Sequence, residues 1–326
     1  MRRSYRRFVQ VVSAVALLAA AGGHAFAQGY PTGPIRMIVP FSAGGGVDTM
    51  GRILGQKLTD SIGKSIVIDN RGGANGNIGT GIAAKAPNNG YTLLLTGAGI
   101  VTNPSLYSKV PFDPVKDFDP ISLLALAPNI LVVHPSVPVK SVAQLVALAK
   151  ARPGEVHYSS AGSGSTPHLA AELFKIMAKV DLLHVPYKGS GPALIGVLSG
   201  EVSIMFPAAI FAVPHVTAGR LRALAVTSVS RLPVTPELPT IAESGPKGYE
   251  SSQWYGVLAP TGTADDILNL LNSHIVKIMQ AADMKQQLIN AGSVAVGSTR
   301  EEFAAHIRAE IVKWAKVIKE SGARVD

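Results

Sequence analysis

The chain has 326 residues, 47% of them apolar, and contains no cysteine, which excludes disulfide bonds, thiol nucleophiles and thiolate metal sites. Its formal net charge is +9, but the Lys and Arg residues are dispersed without a run of four, so the charge gives little support for nucleic-acid binding. A length near 300 residues is enough for a sizeable core and predicts two domains.

The first residues predict a leader. Residues 1–7 contain four arginines, residues 9–21 are mostly apolar, and Ala25-Phe26-Ala27 follows. This pattern is typical of a secretory signal peptide over residues 1–27, cleaved after Ala27; a retained membrane anchor is the alternative. No later segment reaches 18 uninterrupted apolar residues, so we expect an exported, soluble mature protein. Without the four leader arginines, residues 28–326 carry 9 − 4 = +5.

Residues 29–103 alternate short apolar strands with helices. The pattern predicts strands over residues 35–40, 65–68 and 91–95 and helices over residues 49–58 and 79–84. Such alternation indicates βαβ units and a parallel sheet buried on both faces. Residues 104–120, rich in proline and aspartate, are predicted as a loop.

A second region of the same kind occupies the middle of the chain. It has predicted helices over residues 141–151, 167–179 and 191–198, strands over residues 156–160, 182–185 and 223–226, and an apolar segment over residues 202–206. Ser141 is expected to cap the first of these helices. Residues 231–248, with four prolines, are predicted as an irregular connection, and residues 254–258 as a returning strand.

The C-terminal region predicts two amphipathic helices. Thr263 with Asp266 and Thr299 with Glu302 resemble capping boxes. The last helix has an apolar stripe of Phe303, Ile307, Ile311, Trp314 and Ile318, which predicts packing against the core.

The chain is expected to cross between two lobes near residues 126–133 and 251–258. One lobe then consists of residues 28–128 plus 256–326 and the other of residues 129–255. We predict an α/β fold in which each lobe has a mostly parallel sheet flanked by helices, with a cleft between the lobes.

A strand, a glycine loop and a helix follow one another twice, about 120 residues apart. The first loop reads Ser42-Ala43-Gly44-Gly45-Gly46 after Phe41, and the second reads Ala161-Gly162-Ser163-Gly164-Ser165 between Ser160 and Thr166. Each unit directs backbone N–H groups and the positive end of a helix at one spot, which is a site for an anion. For the first loop, a tight turn between strand and helix that binds nothing is the alternative interpretation.

Neither loop matches a cofactor or catalytic motif. The first lacks the third glycine of the dinucleotide pattern, because Thr49 occupies that position, and no phosphate-loop lysine follows. No stretch has the G-x-S-x-G spacing of a hydrolase. Metal ligation is not expected, because His134, His184 and His215 have no histidine one helical turn away. We therefore expect no cofactor and no metal.

Several residues near the loops have two open interpretations. Asp48 either caps helix N–H groups or contacts a ligand, and His168 either reaches an anion or packs within the protein. Arg71 either pairs with a carboxylate or fixes its own loop to the surface. The segments that contain Arg71 and Ala74, Thr96 and Tyr187 follow strands, and ligands of parallel α/β sheets bind beyond the carboxyl ends of strands.

Taken in order, these segments resemble one known family. The motifs are Pro40-Phe41-Ser42-Ala43-Gly44-Gly45-x-x-Asp48, Asn70-Arg71-x-Gly73-Ala74, Ser163-Gly164-Ser165-x-Pro167-His168-Leu169, Val185-Pro186-Tyr187-Lys188-Gly189, Leu238-Pro239-Thr240-Ile241-Ala242-Glu243-Ser244-Gly245 and Trp254-Tyr255-Gly256. Their order and spacing are similar to the Bug family, the periplasmic substrate-binding receptors of tripartite tricarboxylate transporters. The resemblance covers essentially the whole mature chain.

The resemblance implies a type II periplasmic-binding-protein fold, a periplasmic location and no enzymatic activity. It also implies that residues 41–45 and 160–166 hold a carboxylate between them through backbone amides. The implied partners are a carboxylate and a membrane transporter of one large and one small subunit, and we expect a monomer that does not bind nucleic acid.

The chain departs from the family at a few positions. Many members have Asp where this chain has Ser203 and Pro207, and the common proline of the rim loop is Gly72 here. Without an acid at Pro207, an ammonium group of a ligand has no counter-ion there. We therefore expect a plain or aromatic carboxylate rather than an amino acid.

Two other functions remain to be compared. An exported α/β enzyme acting on an acyl or phosphoryl substrate through Ser165 or His168 would need a nucleophile, a base and an orienting group in contact. The effector half of a transcription regulator shares the fold, but the leader and the lack of a helix-turn-helix segment exclude it.

Overall fold

The computed structural model describes residues 29–325, so the predicted signal peptide lies outside the described residues. Residues 1–33 belong to one unit and residues 34–326 to a second, compact unit. The described residues of the first unit contain no helix or strand. Every element named below lies in the second unit.

The first sheet has six strands. They are β1 (Ile35–Val39), β2 (Ile66–Asn70), β3 (Thr92–Gly97), β4 (Phe118–Pro128), β10 (Ser252–Pro260) and β11 (Val294–Ala295), in the spatial order β11-β4-β10-β3-β1-β2. β1 is parallel to β2 and to β3, with Ile38 opposite Asp69 on one side and Leu94 on the other. The pairs of β10 with β3 and of β4 with β10 and β11 are antiparallel.

The second sheet has five strands. They are β5 (Ile130–Val133), β6 (His157–Ser160), β7 (Leu183–Pro186), β8 (Ile204–Met205) and β9 (Arg222–Val226), in the order β7-β6-β8-β5-β9. β6 is parallel to β7 and β8, whereas β5 is antiparallel to β8 and β9.

The helices pack around these sheets. In chain order they are α1 (Gly46–Ile62), α2 (Asn77–Ala84), α3 (Gly99–Leu106), α4 (Val142–Ala151), α5 (Thr166–Ala178), α6 (Ser190–Leu198), α7 (Ala209–Thr217), α8 (Ile241–Ser244), α9 (Asp265–Gln280), α10 (Ala282–Asn290) and α11 (Arg300–Ser321), and a 3-10 turn, Ala74–Gly76, precedes α2. The predicted α/β fold class is confirmed.

Both sheets are mixed rather than mostly parallel, and the chain path explains the difference. β4 carries the chain out of the first sheet, β5 begins two residues later in the second sheet, and β10 brings the chain back beside β4. Two neighbouring segments that pass in opposite directions must pair antiparallel, and Ser252 indeed lies opposite Pro128 and Pro260 opposite Phe118. The predicted lobe boundary after residue 255 falls inside β10, and the lobe limits stay a prediction.

The predicted loop over residues 104–120 is wrong at both ends. Pro104 lies inside α3, whose last turn closes through Tyr107 N–H and the Asn103 carbonyl at 3.0 Å, and Pro120 lies near the start of β4. Pro104 has no N–H group to donate within the helix, and α3 ends two residues later at Leu106. Pro120 lies beside an irregularity in the register of β4 and β10, where a proline is tolerated. The helices α7 and α10 and the short strand β11 were not predicted.

One of the two predicted capping boxes is confirmed. Thr299 accepts a hydrogen bond from Glu302 N–H, and the Glu302 side chain accepts from Thr299 N–H. Thr263 instead donates to the Pro260 carbonyl at 2.7 Å, and α9 begins after Ala264 without a side-chain cap. Thr240 and Glu243 form a further box at α8, inside the stretch predicted as irregular.

The last helix packs into the core as its apolar stripe predicts. Phe303, Ile307, Trp314 and Ile318 are buried. The fully buried Trp254 of β10 packs edge-on against Phe303, with ring centroids 5.6 Å apart. This core fixes β10, which carries residues of the site described next.

Candidate functional site

A cavity of about 260 Å³ lies where the two glycine loops meet; we call it the cleft cavity. The first loop contributes Phe41, with Val47 beside it, and the second contributes Ala161, Gly164, Ser165 and Thr166. The start of α3 contributes Ala98, Gly99 and Thr102, and the start of β10 contributes Ser252 and Gln253. The other residues of the wall are Asn75, Pro167, Leu169, Ser190 and Trp314. The site is therefore built by elements from both sheets.

Four helices begin around the cleft cavity without a side-chain cap. Their N-cap residues are Gly45 for α1, Ala98 for α3, Ser165 for α5 and Gly189 for α6. Side-chain caps occur at α4, α8 and α11, whereas α2, α7, α9 and α10 also lack one, so what distinguishes the four helices is that they begin around one cavity. An uncapped N-terminus leaves N–H groups free and is the positive end of the helix dipole. The convergence therefore favours an anion in this cavity.

In the first loop, Asp48 fixes the backbone. Its Oδ2 accepts from Gly44 N–H at 2.8 Å and from Arg52 Nε at 3.0 Å, and its Oδ1 accepts from Asn70 Nδ2 at 3.0 Å. Burial alone would raise the pKa of Asp48, but these hydrogen bonds from Arg52, Gly44 and Asn70 outweigh it and lower the pKa. Asp48 is thus ionised, and its carboxylate fixes the conformation of the first loop by accepting hydrogen bonds from groups of the protein itself.

In the second loop, His168 occupies the position that corresponds to Asp48 in the first loop. Its Nδ1 accepts from Gly164 N–H at 3.0 Å, so in both loops a first-turn side chain binds the amide four residues earlier. The Ser160 hydroxyl accepts from Gly162 N–H at 3.1 Å, and the Ser165 hydroxyl donates to the Gly162 carbonyl at 2.6 Å. Both loops are therefore shaped by the chain itself.

A buried stack of rings supports the second loop. The rings of His168 and His184 are 4.2 Å apart, and Tyr158 stacks on His184 at 4.8 Å. The Tyr158 hydroxyl donates to Glu172, which also pairs with Lys175 at 2.9 Å. Burial, with smaller contributions from His184 and Lys175, lowers the pKa of His168 to about 3. The imidazole is therefore neutral near pH 7 and keeps the lone pair that Gly164 needs.

None of the remaining predicted residues lines the cleft cavity. Arg71 pairs with Asp69 at 2.9 Å, Thr96 is buried in β3, and the Tyr187 ring packs against Gly196 of α6. The Pro207 carbonyl accepts from Ile130 N–H at 2.9 Å. Ser42, Ala43, Gly45 and Ala74 are exposed.

Sequence reasoning missed several residues of the wall. Thr102 and Asn75 line it, and Gln253 does so while its Oε1 accepts from the Thr166 hydroxyl at 2.9 Å. The signal for Thr102 was hidden because Pro104 argued against a helix there. Gln253 lies 87 residues from Thr166, and nothing local in the sequence indicates that contact.

The chemistry of the cavity is neutral. Among the described residues that line it, none has a charged side chain. Within residues 29–325, no group of three or more His, Asp or Glu side chains is arranged to hold a metal ion. An anion here would be held by backbone N–H groups, hydroxyls and amides.

The geometry around Ser165 and His168 does not form a nucleophile–base pair. Ser165 donates to a carbonyl, and the His168 Nδ1 is occupied by Gly164 N–H. A serine and a histidine do meet at Ser160 Oγ and His184 Nε2, 2.6 Å apart, but Ser160 is fully buried. None of the helices formed by the described residues is long and apolar enough to cross a membrane.

The comparisons with known proteins agree with this architecture. The model of the tripartite tricarboxylate transporter family receptor matches residues 50–323. BugT of Bordetella pertussis is 37% identical over 321 residues, which is 98% of each chain. A protein of R. palustris solved with adipate is 39% identical, with a TM-score of 0.78 over 91% of this chain and 99% of that one.

A second solved structure, MatC of Rhodopseudomonas palustris with bound malate, is 29% identical, with a TM-score of 0.73 over 89% of this chain and all of that one. The family model alone covers most of the chain, from residue 50 in α1 to residue 323 after α11. The chain therefore belongs to the tripartite tricarboxylate transporter receptors, the Bug family of periplasmic solute-binding proteins.

Proposed function

We propose that the protein captures a small carboxylate in the cleft cavity and delivers it in the periplasm to a tripartite membrane transporter with one large and one small subunit. The observation that carries this proposal is the convergence of four helix N-termini without side-chain caps on one uncharged cavity. Two relatives solved with carboxylates, adipate in one and malate in the other, support the class of ligand.

The carboxylate would be held between the two loops by backbone N–H groups. We assign ligand contacts to the predicted set Phe41, Ser42, Ala43, Gly44, Gly45, Asp48, Arg71, Ala74, Thr96, Ser160, Ala161, Gly162, Ser165, Thr166, His168, Tyr187 and Pro207. Within it, Asp48 and His168 would act indirectly, because each already accepts a hydrogen bond from its own loop. Gln253 and Thr102 join the set as donors on the wall.

A plain or aromatic carboxylate fits the cavity better than an amino acid. An α-ammonium group needs a carboxylate partner when it leaves water, and no described residue of the wall offers one. The nearby Asp48 carboxylate is engaged with Arg52, Asn70 and Gly44. Pro207 presents no acid either.

We further propose that the protein is not an enzyme and acts as a monomer that closes two lobes, residues 28–128 plus 256–326 and residues 129–255, around its ligand. Closure of this kind is driven by contacts that the ligand makes only in the closed state. The absence of a nucleophile paired with a base at Ser165 and His168, within the described residues, supports the receptor over the hydrolase.

Isothermal titration calorimetry on the mature protein tests the proposal. The panel contains mono-, di- and tricarboxylates together with aspartate and glutamate, and we expect heat from at least one plain carboxylate. Absence of heat with every acid would refute the receptor function, and tight binding of aspartate would refute the preference against an ammonium group.

A matched pair of variants locates the site. Ala161 lines the cleft cavity, so A161D places a negative charge beside the bound carboxylate, whereas A161N adds nearly the same volume without charge. We expect A161D to abolish binding and A161N to retain most of it. Equal losses in both variants would show that volume rather than charge matters at this position, and wild-type binding by A161D would place the carboxylate elsewhere.

A further inference from the structure

A second cavity, of about 320 Å³, is lined by different residues of two segments that also line the cleft cavity, the first loop with α1 and strand β10. Gly44 and Gly46 of the first loop line the second cavity, whereas Phe41 and Val47 line the first. On β10, Gln253 lines the cleft cavity and Tyr255 the second. Residues two apart on a strand point to the same face, about 7 Å from each other. A ligand whose carboxylate lies in the cleft cavity is therefore close enough for the rest of the molecule to extend toward the second cavity.

The wall of the second cavity is mostly hydrocarbon. Met50 and Ile53 of α1, Phe211 of α7 and Leu288 of α10 contribute apolar side chains, and no described residue of the wall is charged. Its volume is about twice the roughly 150 Å³ of an apolar cavity that holds benzene. The space suits an alkyl chain or an aromatic ring.

Two large apolar side chains on this wall are unusually open to solvent. Ile210 is 47% exposed and its neighbour Phe211 is 54% exposed. The turn after α10 approaches them closely, because a Cβ atom at Gly292 would lie 2.9 Å from the Ile210 nitrogen. The cavity is thus bounded by α7, which follows a strand of the second sheet, and by α10, which precedes a strand of the first.

We propose that the second cavity binds the uncharged alkyl or aryl tail of the carboxylate whose head occupies the cleft cavity. This inference rests on the proposed function for the position of the head. The ligand class is then a monocarboxylate with an apolar tail. Burial of the tail would cover Ile210 and Phe211, which gives the closed state contacts that the open state lacks.

Calorimetry with a series of acids tests the tail site. The series is acetate, butanoate, hexanoate, benzoate and phenylacetate, with adipate as a dicarboxylate of the same length as hexanoate. We expect affinity to rise about fourfold for each methylene group that enters the cavity, and hexanoate to bind more tightly than adipate.

Two variants that change the volume of the second cavity in opposite directions test whether this cavity causes the rise of affinity with chain length. F211A removes part of the wall, and T49F fills the space from the exposed first turn of α1, where Thr49 lines the cavity. We expect each to lower the hexanoate-to-acetate affinity ratio about tenfold. V312A, which trims a side chain that is 72% exposed on α11, serves as the control and should leave the ratio unchanged.

The outcomes separate this inference from the proposed function. If acetate and butanoate bind but affinity does not rise with chain length, the tail site is refuted and the carboxylate receptor stands. If adipate binds more tightly than hexanoate, or if F211A and T49F leave the ratio unchanged, the tail site is also refuted. If no acid in the series binds, the tail site is refuted, and the carboxylate receptor is then decided by the wider panel of di- and tricarboxylates.

Discussion

Replacing His168 tests whether the second loop is held by a hydrogen-bond acceptor or only by packing. The His168 Nδ1 accepts from Gly164 N–H at 3.0 Å, and the ring is 5% exposed and stacked on His184. H168L puts an apolar side chain in place of the ring and removes the acceptor. H168N also loses the ring and its stacking, yet its side-chain oxygen can accept from the same N–H group. The difference between these two variants isolates the acceptor.

The expected loss of carboxylate affinity depends on whether the Gly164 N–H group keeps a hydrogen-bond acceptor. Leaving a buried donor without a partner costs about 1–3 kcal/mol. If this free-energy cost destabilises the ligand-bound conformation of the second loop, carboxylate affinity drops about 5- to 150-fold. We expect H168L to lose affinity within this range and H168N to remain within about threefold of wild type, at similar melting temperatures for the two variants.

Calorimetry with the best carboxylate of the panel, together with thermal unfolding, measures both quantities. Wild-type affinity in H168L would refute the role of the acceptor. Equal weakening in H168L and H168N would assign the effect to the lost ring stack instead.

The same residue predicts a dependence of stability on pH. The pKa of His168 is lowered to about 3 in the folded protein, below its usual value near 6.5, so the unfolded chain binds the proton first as pH falls. Stability should therefore decrease between pH 6.5 and pH 3, with a slope of up to about 1.4 kcal/mol per pH unit from this residue. The pKa of His184, lowered by burial, adds to the slope. The free energy of unfolding, measured by denaturant titration at several pH values, should depend less steeply on pH in H168N than in wild type, and the difference is the contribution of His168.

Three further predictions follow from single contacts. D48A should weaken carboxylate binding about tenfold, because Gly44 N–H loses its acceptor, and D48N should weaken it less; calorimetry measures both. G256A should destabilise the fold by about 1–3 kcal/mol, because its Cβ would overlap the Phe303 ring; wild-type stability in denaturant would contradict this. T299A should cost about 1 kcal/mol through loss of the cap, while T299S, which retains the hydroxyl, should remain near wild type in thermal unfolding.

The sequence predicts the parts of this molecule that depend on local pattern. The alternation of apolar strands and helices over residues 35–97 is visible because β1 and β3 are buried on both faces. The glycine loops are visible because Gly44, Gly162 and Gly164 adopt positive φ angles, which other residues rarely adopt. The cap at Thr299 is likewise readable within four residues.

The parts that escape prediction depend on contacts between distant segments. β4 was not predicted because its burial comes from pairing with β10, more than 120 residues later in the chain. Gln253 enters the site through the chain crossing, not through a motif. Asp48 and His168 had two interpretations each because a residue in the first helical turn can bind either a ligand or its own loop. Only the distances to Gly44 and Gly164 distinguish these interpretations.

The two loops are held by the same kind of hydrogen bond, but the acceptor is charged in the first loop and neutral in the second. This difference affects how an anion site can work. Asp48 is ionised beside the first loop, where an unpaired negative charge would repel a carboxylate. Arg52, Asn70 and Gly44 all donate to it, so its charge is compensated before a ligand arrives. The second loop uses a neutral imidazole and needs no such compensation. Neither loop then presents a net charge to the cavity, so under the proposed function recognition would rest on directed N–H groups and on helix dipoles, each equivalent to about half a unit charge. Because such donors are fixed in direction, the cavity would select a carboxylate by the placement of its oxygens rather than by total charge.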